Sequence, residues 1–333
     1  TLERVGDGAP GIAFGLVDLP HEQRQDLARY VPDVDGHLLV LGAPGSGKST
    51  ALRAIAAAAQ DSEIVPSSVD VAWDLLADLL VEIEHSAGSN GDESSRIILL
   101  DDLDSLLARF PDDHRMMFAD RLGRCLRDGP GVGVRFVLSA QRMIGDAQSL
   151  ASLVPSRLML RHASRHEHVL AGGDATHFVE QLPPGGGVWK GNRVQVALAP
   201  APGQEPRLAR VVALTPGRTL AIVSTRADSL GRRLSALPDS VVIDLESAVG
   251  DVREIASDGR RLVILGDVDE WQSRWGALAA LRPVADILFD GCGVADYRAL
   301  TRSRELPPPL TTDRTLLWTL NEDGTASRAR LPN

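Results

Sequence analysis

The sequence predicts two tandem α/β domains, each built around a mostly parallel β-sheet. Short apolar runs alternate with helix-like stretches, which is the pattern of strands joined by crossover helices. The same order of elements occurs twice along the 333 residues, and a Pro-rich stretch separates the two occurrences. We therefore expect one domain over residues 1–199, a linker over 200–206 and a second domain over 207–333.

The first domain alternates strands and helices from residue 37 onward. The apolar run at 96–100 has no polar face, which is typical of a central parallel strand. Leucines recur at three- and four-residue steps after Ser68, which indicates a helix that Ser68 caps. In chain order we predict strand 37–41, helix 49–59, helix 68–83, strand 96–100, helix 114–127, strand 134–138, strand 157–161 and a hairpin over 187–196.

The second domain repeats this order with weaker chemical signals. Its first apolar run stands where the strand 37–41 stood, and a helix-like stretch follows. In chain order we predict strand 220–223, helix 227–237, strand 240–245, helix 246–257, strand 261–265, a helix through Trp271 and Trp275, and strand 285–289.

A glycine-rich stretch joins the first predicted strand to the first predicted helix. It matches G-x-x-x-x-G-K-[ST] and consists of Gly42, Ala43, Pro44, Gly45, Ser46, Gly47, Lys48 and Ser49, followed by Thr50. Glycines let successive backbone N–H groups point inward and form a nest for phosphate at a helix N-terminus. We expect this P-loop to bind ATP, with Lys48 reaching the β- and γ-phosphates and the Ser49 hydroxyl binding Mg²⁺.

Two adjacent carboxylates follow the buried strand 96–100. Asp101 suits the residue that holds Mg²⁺ through water, and Asp102 is placed to orient or deprotonate the attacking water. The alternative is that Asp102 merely begins the next helix. Asp104 is interpreted as a helix-capping residue.

Gln141 follows the next predicted strand, where a polar residue can sense the γ-phosphate; the alternative is an ordinary loop glutamine. A sensor on a strand separate from that of Asp101 is typical of additional-strand, RecA-like motors. Since no guanine-reading N-K-x-D stretch occurs at the usual place, we expect ATP as the nucleotide. Arg142, Arg157 and Arg161 are either arginine fingers acting across a subunit interface or ordinary surface arginines.

Charge, cysteine content and hydropathy give expectations about DNA, metal and membrane contacts. The net charge of −10 gives no general electrostatic reason for DNA binding. Cys125 and Cys292 lie far apart in sequence, so we expect idle thiols rather than a disulfide or a zinc site.

No apolar run approaches the roughly 20 residues that span a bilayer. Because the chain begins at Thr1 without an initiator Met, we interpret it as a segment of a longer protein, which leaves room for a membrane anchor or a partner domain outside it.

Four stretches occur together in this chain: GLVDLPHEQ at 15–23, HLLVLGAPGSGKST at 37–50, LSAQR at 138–142 and LPPGGGVWKGNRVQVA at 182–197. The combination resembles the FtsK/SpoIIIE ATPases, especially the EccC/EssC branch that drives type VII secretion. This resemblance implies tandem RecA-like domains on the cytoplasmic side of a membrane-anchored parent protein. It also implies secreted proteins as substrates, and other domains or subunits of the motor as partners, in an assembly that is often a hexamer.

The second domain lacks the residues that make the first a nucleotide site. Where the resemblance places a P-loop, the chain reads STRADSLG at 224–231, with Leu230 in the position of Lys48 and Gly266 in the position of Asp101. We expect no ATP binding there by the usual route, and a role in substrate docking or regulation, or a purely structural role. Two alternatives for the whole chain stay open: an FtsK-type DNA translocase, and a regulatory module that holds ATP without turnover.

Overall fold

The computed structural model describes residues 10–86, 95–200, 207–237, 240–245, 261–274, 276–311 and 313–331. The chain divides into two compact units, Thr1–Leu208 and Ala209–Asn333, which we call the first and the second unit. Residues 201–206 of the predicted linker, the predicted helix 246–257 and Trp275 lie outside the described residues.

One nine-stranded sheet forms the centre of the first unit. Its strands in chain order are β1 (Ile12–Leu19), β2 (Arg24–Tyr30), β3 (Leu38–Leu41), β4 (Ser62–Val65), β5 (Arg96–Leu100), β6 (Val134–Ala140), β7 (Ser156–Leu160), β8 (Gly186–Trp189) and β9 (Asn192–Val196). They lie side by side in the order β2-β1-β9-β8-β7-β3-β6-β5-β4. The strands from β7 to β4 are mutually parallel, and β8, β9, β1 and β2 extend the sheet by antiparallel pairing.

Strand β6 lies between β3 and β5. Ala140 of β6 pairs with Leu41 of β3, and Leu138 of β6 pairs with Leu100 of β5. The strand that ends at the P-loop is therefore separated from the strand that ends at Asp101 by one additional strand, as predicted. All four residues of β3 are buried, because helices cover both faces of a parallel sheet.

Seven helices occur in the described part of the first unit. They are α1 (Pro32–Asp35), α2 (Lys48–Ala58), α3 (Val69–Ser86), α4 (Leu103–Arg109), α5 (Asp112–Asp128), α6 (Asp146–Ala151) and α7 (Arg165–Leu170). Helix α2 buries Leu52 and Ile55 in a core that also contains Phe14 of β1 and Val40 of β3. The P-loop helix is thus clamped onto both the parallel and the antiparallel part of the sheet.

A six-stranded sheet forms the second unit. Its elements in chain order are β10 (Thr219–Ser224), α8 (Ala227–Ser235), β11 (Ser240–Asp244), β12 (Arg261–Gly266), α9 (Val268–Ser273), α10 (Ala277–Leu281), β13 (Ala285–Asp290), α11 (Val294–Thr301), β14 (Leu316–Leu320) and β15 (Ala326–Arg330). The strand order is β11-β12-β10-β13-β14-β15, parallel from β11 to β13 and antiparallel beyond. The predicted fold class, tandem α/β domains with mostly parallel sheets, is confirmed.

The second sheet differs from the first in the position of strand β12. Strand β12 pairs directly with β10, for example at Val223 and Gly266, so no additional strand separates them. Helix α8 covers one face of this sheet with Leu230 and Leu234. Helices α9 and α11 cover the other face with Trp271 and Tyr297.

Both cysteines are free and buried, as expected from their spacing. Burial raises the pKa of the Cys125 thiol to about 12, and it raises the pKa of the Cys292 thiol to about 12 as well. A thiol with so high a pKa is protonated at neutral pH, and a protonated thiol is a poor nucleophile. No helix in the described ranges is long and apolar enough to cross a bilayer.

Candidate nucleotide site

Six residues, 42–47, connect β3 to α2 in the first unit. Gly45 and Gly47 adopt φ angles of 67° and 102°, which L-residues with a side chain rarely adopt. Helix α2 begins at Lys48, so the first N–H groups of the helix point into the loop. Within the described residues, the N–H groups of Gly45, Gly47, Lys48 and Ser49 have no hydrogen-bond partner. They form a nest that is shaped for a phosphate group.

The loop is braced by two segments that are distant in sequence. The Ala43 N–H donates to the carbonyl of Arg161 at 2.9 Å, just beyond β7. The Gly185 N–H donates to the carbonyl of Ser46 at 2.8 Å. A Cβ atom on Gly47 would lie only 2.7 Å from the Gly185 nitrogen. The LPPGGG stretch is therefore packed against the phosphate loop, which explains why the two motifs occur together.

Lys48 is buried and folded over its own loop. Its Nζ donates to the carbonyls of Gly42 at 3.1 Å and Ala43 at 3.4 Å, and it lies 4.0 Å from Asp102 Oδ1. Ser49 and Thr50 occupy the first turn of α2 and are half-buried. The hydroxyl of Ser46 is buried without a partner in the described structure. These polar groups converge on one small volume at the carboxyl edge of the sheet.

Ser139, at the end of β6, organises the two acidic residues. Its hydroxyl donates to Asp101 Oδ1 at 2.5 Å and accepts the Asp102 N–H at 2.9 Å. Ser139 is fully buried, so this bridge is shielded from water. Sequence reasoning did not single out Ser139, although a polar residue that ends an otherwise apolar strand is a visible signal. The additional strand thus positions the acids that extend from β5.

Asp102 has an unusual backbone conformation and a carboxylate that does not cap its helix. It stands at the N-cap position of α4 with φ 49°, and its side chain makes no capping hydrogen bond. The side chain is 55% exposed. Burial of the carboxyl group and then the neighbouring charge of Asp101 raise its pKa, which Lys48 partly counteracts. A strained, raised-pKa carboxylate opposite a P-loop lysine is typical of a functional group.

Asp104 has a different role from the capping role expected for it. Its two carboxylate oxygens accept the N–H groups of Gln141 at 3.2 Å and Arg142 at 3.1 Å. Asp104 therefore fixes the loop after β6 rather than the start of α4. Gln141 is exposed and directly follows Ala140, the partner of Leu41 in the sheet. This places Gln141 beside the beginning of the P-loop.

The three arginines considered as arginine fingers differ in whether the side chain has a hydrogen-bond partner. Arg157 donates to the carbonyl of Ala171 at 3.1 Å, and Arg161 donates to the carbonyl of Leu182 at 3.4 Å. Both side chains are thus engaged within the first unit. Arg142 is exposed, and the described residues offer its side chain no hydrogen-bond or ion-pair partner.

The corresponding connection in the second unit is too short to be a P-loop. Only Thr225 and Arg226 separate β10 from α8. The residue in the place of Lys48, at the start of the helix, is Ala227. The expectation that Leu230 takes that place is wrong, because it assumed a connection of the same length; Leu230 lies inside α8 and is buried.

Asp267 follows β12, but its carboxylate is already hydrogen-bonded within the cap of the next helix. Asp267 Oδ1 accepts the Glu270 N–H at 2.8 Å, and Glu270 Oε2 accepts the Asp267 N–H at 2.8 Å. This reciprocal capping box holds the start of α9. Gly266 ends the strand at the place of Leu100 or Asp101 in the first unit and supplies no carboxylate.

The comparisons with known proteins agree with this geometry. The sequence model of the FtsK/SpoIIIE family matches residues 14–65, which run from β1 through the P-loop to β4. The resemblance to the FtsK/SpoIIIE family is confirmed. The curated proteins contain no match to this sequence.

Solved structures share the fold over the whole chain. Thermomonospora curvata EccC (ATPases 2 and 3) in complex with a signal sequence peptide matches with 12% identity and a TM-score of 0.53, covering 100% of this chain and 95% of that chain. The cytoplasmic domain of the Thermomonospora curvata type VII secretion ATPase EccC matches with 14% identity and a TM-score of 0.51, covering 100% of this chain and 61% of that one. EssC (ATPases 2 and 3) from Geobacillus thermodenitrificans matches with 14% identity and a TM-score of 0.45, covering 98% and 96%. The first two matches establish a likeness of fold.

Proposed function

We propose that the first unit binds Mg²⁺-ATP and hydrolyses it slowly as a module of an FtsK/SpoIIIE-type secretion motor. The observation that carries this proposal is the convergence of Lys48, Asp101 and Asp102 at one edge of the sheet, through the Ser139 bridge and the 4.0 Å approach of Lys48 to Asp102. This convergence requires the additional strand β6, which sets the acids at the correct distance from the P-loop.

The residues present fit both ATP and Mg²⁺. Gly45 has no atom within 4 Å of the position that a Cβ would take, so the mouth of the nest is open. A buried ammonium and a row of unpartnered N–H groups suit a phosphate chain. Ser49 and Asp101 offer the hydroxyl and carboxylate oxygens that Mg²⁺ prefers. The bound metal would neutralise charge on the phosphates during transfer.

Each residue then has a defined task. Lys48 exchanges its two carbonyl partners for the β- and γ-phosphates. Ser49 and, through water, Asp101 would hold the metal, and Asp102 would orient the attacking water and accept its proton. Gln141, held by the Asp104 clamp on its backbone, reports whether the γ-phosphate is present. Of the three arginines, Arg142 is exposed and has no side-chain partner among the described residues, so it is the one left to act on a neighbouring subunit.

Phosphate release from ATP, measured with and without Mg²⁺, tests the hydrolytic role. We expect slow turnover that Asp101→Asn reduces through weaker Mg²⁺ affinity, so that excess Mg²⁺ partly restores it. Turnover that is independent of Mg²⁺, or unaffected by Asp101→Asn, contradicts the assignment. ATP that binds tightly but is never hydrolysed, even with subunits tethered into rings, supports the regulatory alternative instead.

For the second unit we propose a docking role for secreted proteins. A groove of about 610 Å³ lies among α9, α10 and α11, with Trp271, Leu278 and Leu300 as apolar lining and Arg274 and Arg302 at its edges. Such a groove suits an amphipathic segment with acidic residues. The likeness in fold to an EccC structure that contains a signal sequence peptide supports this proposal.

Adjacent alanines on α10 provide a matched test of docking. Ala279 lines the groove, whereas Ala280 is equally exposed but does not line it. In the full-length protein we expect Ala279→Asp to reduce export of the secreted substrate, and Ala280→Asp to leave it unchanged. Equal export in both variants contradicts docking in this groove. Stimulation of turnover by duplex DNA, lost at high salt, would favour the DNA translocase alternative.

A further inference from the structure

A cavity of about 410 Å³ lies at the carboxyl end of β13 in the second unit, and its lining is strongly basic. It contains four arginines and one acidic residue: Arg226, Arg233, Arg314, Arg330 and Asp290. The buried side chains of Leu234 and Leu317 form apolar walls. The cavity belongs to neither the nucleotide site of the first unit nor the docking groove proposed above.

Carboxylates of the second unit balance only part of this charge. Asp290 pairs with Arg226 at 2.7 Å and accepts the Ser224 hydroxyl at 2.7 Å. Arg330 pairs with Asp313, and hydrogen bonds from Thr315 and then from Arg330 lower the pKa of Asp313 to about 2.

Arg233 and Arg314 have no such partner. Both side chains are exposed at the cavity, and the described residues hold no carboxylate within ion-pair distance of either. Two guanidinium charges are therefore left for a ligand.

The cavity lies where the topology of this sheet opens a crevice. Strands β10 and β13 are parallel neighbours, and Ser224 pairs with Asp290 at their carboxyl ends. The chain leaves β10 toward the face covered by α8 and leaves β13 toward the opposite face, covered by α11. Ligands of open α/β sheets bind at such a switch point, outside the carboxyl ends of the strands. Arg226 and Asp290 stand at this point.

We propose that this cavity binds a small anion that carries phosphate groups, by a route that uses arginine side chains instead of a P-loop. Guanidinium groups bind phosphate oxygens in a bidentate manner, and several of them together suit a ligand with several negative charges. The volume falls in the range of about 300–1,000 Å³ that is typical of small-molecule sites. The two leucine walls suit the non-ionic part of the ligand.

Titration with inorganic tripolyphosphate tests the proposal. The full chain carries Lys48→Ala, which removes the ammonium group of the first unit's P-loop and so weakens that competing phosphate site. We expect saturable binding with a Kd below about 1 mM, weakened at least about tenfold by Arg233→Ala with Arg314→Ala. Both side chains are exposed, so the double variant should unfold at an unchanged temperature.

Arg232→Ala is the matched control. Arg232 is exposed on the same helix, donates to the Asp228 carbonyl and does not line the cavity. Binding that survives the double variant, or that falls equally in Arg232→Ala, overturns the proposal. Equal affinity for citrate overturns the preference for phosphate. If the chain sediments with anionic lipid vesicles but does not bind tripolyphosphate, the site contacts a membrane and the proposal of a small ligand is overturned.

Discussion

An aspartate follows a buried parallel strand in both units, but the two residues have different tasks. In the first unit the Asp102 carboxylate makes no capping bond and lies 4.0 Å from Lys48 Nζ. In the second unit the Asp267 carboxylate is held in a capping box with Glu270. The difference teaches that residue type and strand position do not decide whether such a carboxylate caps the next helix. The groups on the neighbouring strand and in the facing loop decide what the carboxylate does.

The connection between the first strand and its helix differs in the same way. It has six residues, 42–47, in the first unit and only two, Thr225 and Arg226, in the second. A two-residue turn cannot place several N–H groups around a phosphate. At the connection between β10 and α8 there is therefore no such nest, and a lysine placed in α8 would not create one.

The largest effect is expected from Lys48→Ala. Removing the only charged group in the P-loop should weaken ATP binding at least about 100-fold, which corresponds to about 2.7 kcal/mol. Calorimetric titration of the full chain measures this, and Arg53→Ala, exposed on the same helix, is the control. If Lys48→Ala still binds one ATP with unchanged affinity, the second unit holds the nucleotide and the comparison fails.

Asp102→Asn and Asp267→Ala test the two acids directly. We expect Asp102→Asn to keep ATP affinity and to lower turnover about 100-fold or more, since a positioned base contributes that much. Asp267→Ala should lower the stability of the second unit by about 1 kcal/mol through the lost cap and leave turnover unchanged. The paired measurements are phosphate release and thermal unfolding. Unchanged turnover in Asp102→Asn removes the catalytic role.

Substitution by alanine should have a larger effect at Gly47 of the P-loop than at Gly45. Both have positive φ, but only at Gly47 would a Cβ meet another backbone atom, the Gly185 nitrogen. Gly45→Ala should cost about 1–2 kcal/mol from backbone conformation alone. Gly47→Ala should cost more, with ATP affinity at least about tenfold lower. Equal affinities in the two variants would show that the LPPGGG brace does not set the loop.

The stability of the two units should depend differently on pH. All eight histidines lie in the first unit. Burial lowers the pKa of His37, His162 and His168 from the ordinary value of 6.5. The unfolded chain therefore takes up protons first, so the first unit loses stability as the pH falls through about 6.5.

Thermal unfolding followed from pH 8 to pH 5 measures this difference. A lower unfolding temperature at acid pH should be confined to the first unit, and His37→Gln should reduce the pH dependence. His21→Gln, at an exposed position, is the control. An equal pH dependence in the second unit would contradict the histidine explanation.

The smallest effect is expected from Gly231→Ala in the second unit. Gly231 ends the stretch that aligns with the P-loop, yet it lies inside α8. An added Cβ would approach only the flexible Leu265 Cδ2, at 3.1 Å, while helix propensity gains up to about 1 kcal/mol. The stability should change by no more than about 1 kcal/mol in either direction, and ATP binding should not change. A large loss of stability would place this glycine outside a regular helix.

The sequence predicted those parts of the fold that carry their own local signal. Apolar runs such as 96–100 identified the central strands, and the glycine pattern identified the P-loop. Strand β2 was missed because it is an edge strand with a polar composition, RQDLARY, and β4 because two of its four residues, SEIV, are polar. The contacts of Ser139 and Asp104 join residues 37 or 38 positions apart, so no local pattern reveals them. Alignment by spacing misplaced Leu230 because it cannot register a shortened loop.

The Ser139 hydroxyl carries one hydrogen atom, and that hydrogen is directed at Asp101. A hydroxyl cannot donate to two carboxylates at once, so Asp102 receives no proton donor from it and is held through its backbone N–H instead. Two chemically identical neighbours are thereby made unequal. Asp101 has one oxygen occupied by the Ser139 hydroxyl, whereas the Asp102 carboxylate accepts nothing from Ser139 and lies 4.0 Å from Lys48 Nζ. The direction of a single O–H bond thus gives the two carboxylates different surroundings.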